Sequence, residues 1–210
     1  MKQDEKSAQA RQRILCAAME EFSAKGYDGA SLTAACTENG ISKGIVYHHF
    51  KDKNELYLLC VEKCFDAVTT YLRTAAASFQ GSLEEQLRQY FDARLRFFAE
   101  NPLYLGIFSS AVFQPPAELA AEIAECRRAF DELNVCILTA LLSGGSLRGG
   151  LTVPVIVEDF RMYMDFFNMR FKTACRRGSS PEYTLQEHEE RCHRQLKILL
   201  YGVLGEHDAV

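Results

Sequence analysis

The chain has 210 residues, 48% of them hydrophobic, no tryptophan and a formal net charge of −4. It is long enough to bury a real core as one large domain or two small ones. The charge does not by itself point to nucleic acid, and the most apolar run, NVCILTALL at 134–142, is too short to span a bilayer.

Residues 1–53 carry eight Lys and Arg against seven Asp and Glu, so a basic patch alone would not reveal a nucleic-acid partner. The opening MKQDEKSAQARQR is polar and lacks the apolar core of a signal peptide. A soluble, cytoplasmic protein is expected. Eight cysteines are spread singly along helical patterns, which fits reduced, small core residues better than a disulfide framework.

In chain order, Ile14, Leu15, Ala18 and Phe22 fall at helical spacing, and that pattern ends at Gly26. A short helix follows in SLTAACTENG, with Ser31 as its cap and Gly40 after its end. Ser42 caps a second short helix, KGIVYHHF. Asp52 with Glu55 three residues later opens a long helix over 53–77 in capping-box fashion. Further helical patterns cover about 83–100, 102–113, 116–142, 155–177 and 183–204, separated by breaker-rich junctions such as SGGSLRGGLTVP. The fold class is all-α: a three-helix head over residues 1–52 and a helical body over 53–210.

Residues 31–50 have the layout of a helix-turn-helix. The crossing of its two helices needs small residues, here Ala35 and Cys36, and the turn needs a residue tolerant of positive φ, here Gly40. Ile41 plugs the core behind the turn, and Val46 and Phe50 hold the second helix down. Lys43, Gly44, Ile45 and Tyr47 then stand near the exposed start of that helix, where base edges are read. Lys43 can donate to guanine or phosphate, Ile45 can pack on a thymine methyl, and Gly44 lets the backbone approach the groove. Tyr47, His48, His49 and the hydroxyls of Ser31 and Thr33 can bond phosphate oxygens, as can Lys53 in the first turn of the next helix.

RQRILCAAMEEFSAKGYDGASL followed by NGISKGIVYHHFKDKNEL resembles the DNA-binding domain of TetR-family transcriptional regulators over residues 11–60. The resemblance implies that Lys43, Gly44, Ile45 and Tyr47 face the major groove. It places Ser31, Thr33, Tyr47, His49 and Lys53 on the DNA backbone. The chain departs from the family's habit at Ala35, Cys36 and Asn39, so a looser head is expected. It departs again at Ile45, so no relative's operator can be borrowed.

The body is rich in aromatic and methionine side chains at helical spacing. Such stripes are usually plain core; the alternative is the lining of a ligand cavity. The resemblance favours the cavity, with Phe97, Phe98, Tyr104, Phe108, Phe113, Met162, Phe166, Phe167 and Met169 as its candidate lining and a largely apolar effector. Arg94, Arg96 and Asp165 are expected to be solvated.

The last two helices, about 155–204, are the expected homodimer surface, with Leu185, Cys192, Leu196, Leu199, Leu200 and Val203 on one side. Two heads one helical turn apart would read a palindrome. The sequence thus reads as a ligand-responsive regulator, a repressor released by its effector, needing no cofactor. The alternative is a redox or metal switch through Cys60 and Cys64, or through His188, Cys192 and His193. Neither group supplies the four convergent ligands of a structural zinc site. An enzyme built on His188 or His193 with a cysteine lacks any orienting third residue or oxyanion turn, so no catalytic activity is expected.

Overall fold

The structure is a computed structural model and describes residues 2–144, 147–176 and 185–203. Among them the chain is all-α. Helices α1 (Lys2–Gly29), α2 (Leu32–Glu38), α3 (Lys43–His49), α4 (Lys53–Ala76), α5 (Leu83–Glu100) and α6 (Pro102–Phe113) are followed by a 3-10 turn at Ala117–Leu119. Helices α7 (Ala120–Ser143), α8 (Val153–Arg176) and α9 (Leu185–Val203) complete the chain. No described helix is long and apolar enough to cross a membrane.

The chain forms two compact units, Met1–Ala67 with Asn101–Arg128, and Val68–Glu100 with Ala129–Val210. In the first, α1 buries Ile14, Leu15, Ala18 and Phe22 on one face and kinks at Gly26, where φ is 66°. Ser31 caps α2 by accepting the Ala34 N–H at 3.5 Å. Gly40 takes φ 69°, a region that glycine enters without steric cost. The Ile41 N–H then closes the turn on the Cys36 carbonyl at 2.7 Å. Ser42 occupies the cap position of α3, but its hydroxyl makes no capping bond. Its carbonyl instead accepts from Ile45 and Val46.

Asp52 accepts the Glu55 N–H at 2.9 Å, and the Glu55 carboxylate reaches back to the Lys51 N–H at 2.6 Å. This reciprocal pair satisfies donors that a helix start leaves open. Leu56, Tyr57, Cys60, Val61, Cys64 and Phe65 then bury one side of α4.

Helix α6 packs along α1. A Cβ on Gly106 would lie 2.4 Å from the Ser23 carbonyl oxygen and 2.7 Å from its Cα, so the two backbones meet there. Nearby, the buried Tyr57 hydroxyl shares a 2.8 Å hydrogen bond with Ser110. Phe22, Tyr27 and Tyr57 stack edge to face around it.

In the second unit, α5 buries Tyr90, Phe91, Phe97 and Phe98. The Tyr90 hydroxyl donates to Asn134 on α7, whose own amide donates to the Phe130 carbonyl at 2.9 Å. Arg94 is 7% exposed rather than solvated. Its guanidinium lies 5.2 Å from the Phe91 ring centroid and 5.7 Å from that of Tyr90, an arrangement that offsets part of the cost of burying charge. Arg96 and Asp165 are exposed, as expected. On α9, Lys197 pairs with Glu84, and the Tyr201 hydroxyl donates to the same carboxylate at 2.9 Å.

Candidate nucleic-acid interface

Helix α3 is two-sided, as its sequence requires. Val46 and the following Phe50 are buried at 4% and 2% exposure, whereas Ile45 and Tyr47 are 44% and 51% exposed. Large apolar and aromatic side chains thus stand in water on a seven-residue helix otherwise held by its buried face. The Lys43 ammonium lies 5.8 Å from the Tyr47 ring centroid, which gathers cation and ring on one patch. Gly44 has nothing within 4 Å of where a Cβ would be. Gly44 is the second residue of α3, and the protein's own packing does not demand glycine there. His48 is exposed, His49 half-buried, and their rings meet edge to face at 5.1 Å.

Ser31 and Thr33 are exposed at the start of α2. The Ser31 backbone N–H donates to the Glu21 carboxylate at 2.8 Å, and Lys25 donates to the same oxygen at 2.9 Å. That backbone N–H, then Lys25, holds the Glu21 carboxyl below its ordinary range despite its burial. Lys53 is more committed than its position in the sequence suggests. Its ammonium donates to the Ala30 carbonyl at 2.9 Å and lies 4.6 Å from the Tyr27 ring centroid. Tyr27 in turn donates to Asn54. Lys53 therefore ties the start of α4 to the junction of α1 and α2.

Glu21 and Tyr27 were absent from the sequence-derived site. Their partners lie 10 and 27 residues away, and no local pattern announces them. Ser31 through Lys53 otherwise assemble on one small body of three helices.

The candidate effector residues divide between the two units. Phe97 and Phe98 are buried in the second unit, where Phe97 meets Tyr71 at 5.3 Å. Tyr104, Phe108 and Phe113 belong to the first unit, where Phe108 packs on Phe65. Phe167 is half-buried and stacks on Tyr163. Met162, Phe166 and Met169 are 56%, 52% and 54% exposed. With the exposed Val155 they follow spacings of seven, four and three, which is one stripe of α8. In the single chain these side chains stand on the surface of α8.

Cys60 and Cys64 are fully buried. Burial pushes the Cys60 thiol up to about 12 and that of Cys64 upward as well, which suppresses the reactive thiolate. His188, Cys192 and His193 have side chains outside the described set, as do Leu196, Leu200 and Val203.

Residues 14–60 match the family described as bacterial regulatory proteins, tetR family. The chain is 26% identical over 178 residues to the HTH-type transcriptional repressor AcnR of Corynebacterium efficiens, covering 85% of this chain and 88% of that protein. It is 29% identical over 114 residues to the HTH-type transcriptional activator FasR of Mycolicibacterium smegmatis, covering 54% of this chain but 51% of that one. Among solved structures it shares its fold with the transcriptional regulator FadR of Bacillus subtilis in complex with stearoyl-CoA. That match has a TM-score of 0.64 at 17% identity and covers 88% of this chain and 96% of the other.

Proposed function

The chain belongs to the TetR family of transcriptional regulators, and from that premise we propose that it is a cytoplasmic, homodimeric repressor that binds a palindromic operator and is released by a small, largely apolar effector. Residues 1–52 read DNA, and residues 53–210 bind effector and mate. The observation that carries the reading is the exposed face of α3. Lys43, Gly44, Ile45 and Tyr47 are presented outward by a helix anchored through Val46 and Phe50. Gly44 leaves open space beside the start of α3, which suits the close approach of a groove wall to a recognition helix.

The mate packs on α8 and α9. Val155, Met162, Phe166 and Met169 of α8 and Ile198 and Tyr201 of α9 are all large, apolar and exposed, a composition that suits a core shared between subunits. The effector is held among the aromatic side chains of the body, of which Phe97 and Phe98 are the most deeply buried in the second unit. The complex of FadR with stearoyl-CoA supports an apolar chain as its type. Helix α4, which supplies residues to both units, is the lever. A coupling of about 1–3 kcal/mol would lower operator affinity roughly 5–150-fold. Buried, protonated Cys60 and Cys64 speak against a thiol switch on that lever.

The test is selection of duplexes from a random pool by the purified, reduced protein, followed by a salt titration of the winner. A two-fold-symmetric site with a steep salt slope is expected. A pool that yields no preferred sequence would end the repressor reading.

A further inference from the structure

Two arginines of α1 border the recognition helix at both ends. The Arg13 guanidinium donates to the Asn39 carbonyl at 3.0 Å, in the turn that leads into α3. The Arg11 guanidinium lies 5.1 Å from the ring centroid of Phe50, the residue that ends α3. Both arginines are exposed, and among the described residues neither is paired with a carboxylate.

An arginine has five N–H donors in a planar fork. Arg13 spends one of its own on Asn39, and Arg11 holds its guanidinium over the Phe50 ring without using a donor there. Both side chains are exposed, which leaves their remaining donors to solvent. Seven residues of α3 span about 10 Å at 1.5 Å per residue. A helix of that length lying in a major groove about 12 Å wide has a phosphate strand on either side, where cations beside its two ends would find partners.

We propose that Arg11 and Arg13 are DNA-backbone contacts, held at the two ends of α3 by Phe50 and Asn39. This rests on the DNA-binding reading above and extends it to residues outside both the helix-turn-helix and the matched family domain at 14–60. It also supplies positive charge that the head's near balance of acids and bases conceals. Selection for a fixed turn alone would be met by any donor at 13. An exposed guanidinium pair does more, because it places delocalised cations where two phosphate strands run.

The experiment uses the full-length protein and the duplex that the wild type selects, with affinity read by fluorescence anisotropy across a KCl series. The variants are Arg11→Gln, Arg13→Gln, and the two Lys counterparts. A dimer presents each arginine twice, so loss of one should lower the salt slope by about 1.8, at 0.9 per phosphate. Affinity at 0.1 M salt should fall roughly 10–60-fold by the same counterion release. Lysine variants should keep most of the slope.

Gln variants that bind with the wild-type slope, whether weakened or not, would overturn the proposal and leave the arginines as structural ties only. Melting temperatures measured alongside identify a variant that fails to fold, in which case the Lys–wild-type comparison carries the decision: a Lys variant whose slope falls as far as a lost charge would require also counts against it. If the wild type binds no duplex above a scrambled control, the DNA reading itself has failed and this proposal falls with it.

Discussion

Substitution of Gly106 by alanine tests how closely α1 and α6 are set. The added Cβ would sit 2.2 Å from the Ser23 hydroxyl, 2.4 Å from its carbonyl oxygen and 2.7 Å from its Cα. A hydroxyl can rotate away, but the other two atoms belong to the backbone of α1. Restoring ordinary van der Waals separation therefore requires the helices to part by about 1 Å, an overpacking that typically costs about 1–3 kcal/mol. Alanine recovers up to about 1 kcal/mol of that through helix propensity. A net loss of about 1 kcal/mol lowers the melting temperature of a chain this long by roughly 2–4 °C.

Calorimetry or urea unfolding at one fixed protein concentration checks it, since any self-association would make the midpoint concentration-dependent. Adding Ser23→Ala should not rescue the variant, because it removes only the hydroxyl and leaves the backbone of α1 in the way. A Gly106→Ala protein as stable as wild type, or more so, would show that the two helix backbones do not meet and refute the reasoning.

The remaining predictions concern single bonds and exposures. Tyr57→Phe leaves the buried Ser110 hydroxyl without its 2.8 Å partner and should cost about 1–2 kcal/mol; the double variant with Ser110→Ala should lie closer to wild type than additivity allows, and strict additivity in the cycle would sink the claim. Glu21 has its folded pKa lowered by the Ser31 N–H and Lys25, so its contribution is present above the unfolded carboxylate value and is lost as pH falls through the lower folded one. The stability gap between wild type and Glu21→Gln, about 1 kcal/mol at neutral pH, should therefore shrink toward pH 3; a gap unchanged from pH 6 to pH 3 would contradict this. Peptide mapping after maleimide labelling of the native protein should find Cys16 and Cys136, which are exposed, modified well before Cys60 and Cys64. Equal labelling of all four would restore the thiol switch as a competitor. Tyr47→Ala removes an exposed ring and should weaken operator binding at least tenfold, about 1.4 kcal/mol, while leaving the melting temperature within a degree or two.

What the sequence made legible follows from range. The caps at Ser31 and Asp52, the turn at Gly40 and the split of α3 into a buried and an exposed side depend on partners within a few residues, and all are present. The failures involve either a choice among local groups or partners far along the chain. Ser42 has the residue type of a cap, yet the carbonyl does the work. Arg94 has its two rings, Tyr90 and Phe91, four and three residues back on the same helix, but that this face of α5 is buried is fixed only by packing. Glu21, Arg13 and Gly106 act on positions 10, 26 and 83 residues away.

The stripe of Val155, Met162, Phe166 and Met169 shows a different limit. Helical periodicity reports that one face of α8 is apolar, and the same period serves a face turned toward its own core, an effector or a second subunit. Only exposure separates these. All four side chains are more than half exposed in the single chain, and an apolar stripe of that length is costly to leave in water, at about 25 cal/mol per Å². That cost is what a second copy would remove, so Phe166→Glu should shift the protein from dimer to monomer in sedimentation. A dimer that survives this charge on α8 would place the mate elsewhere.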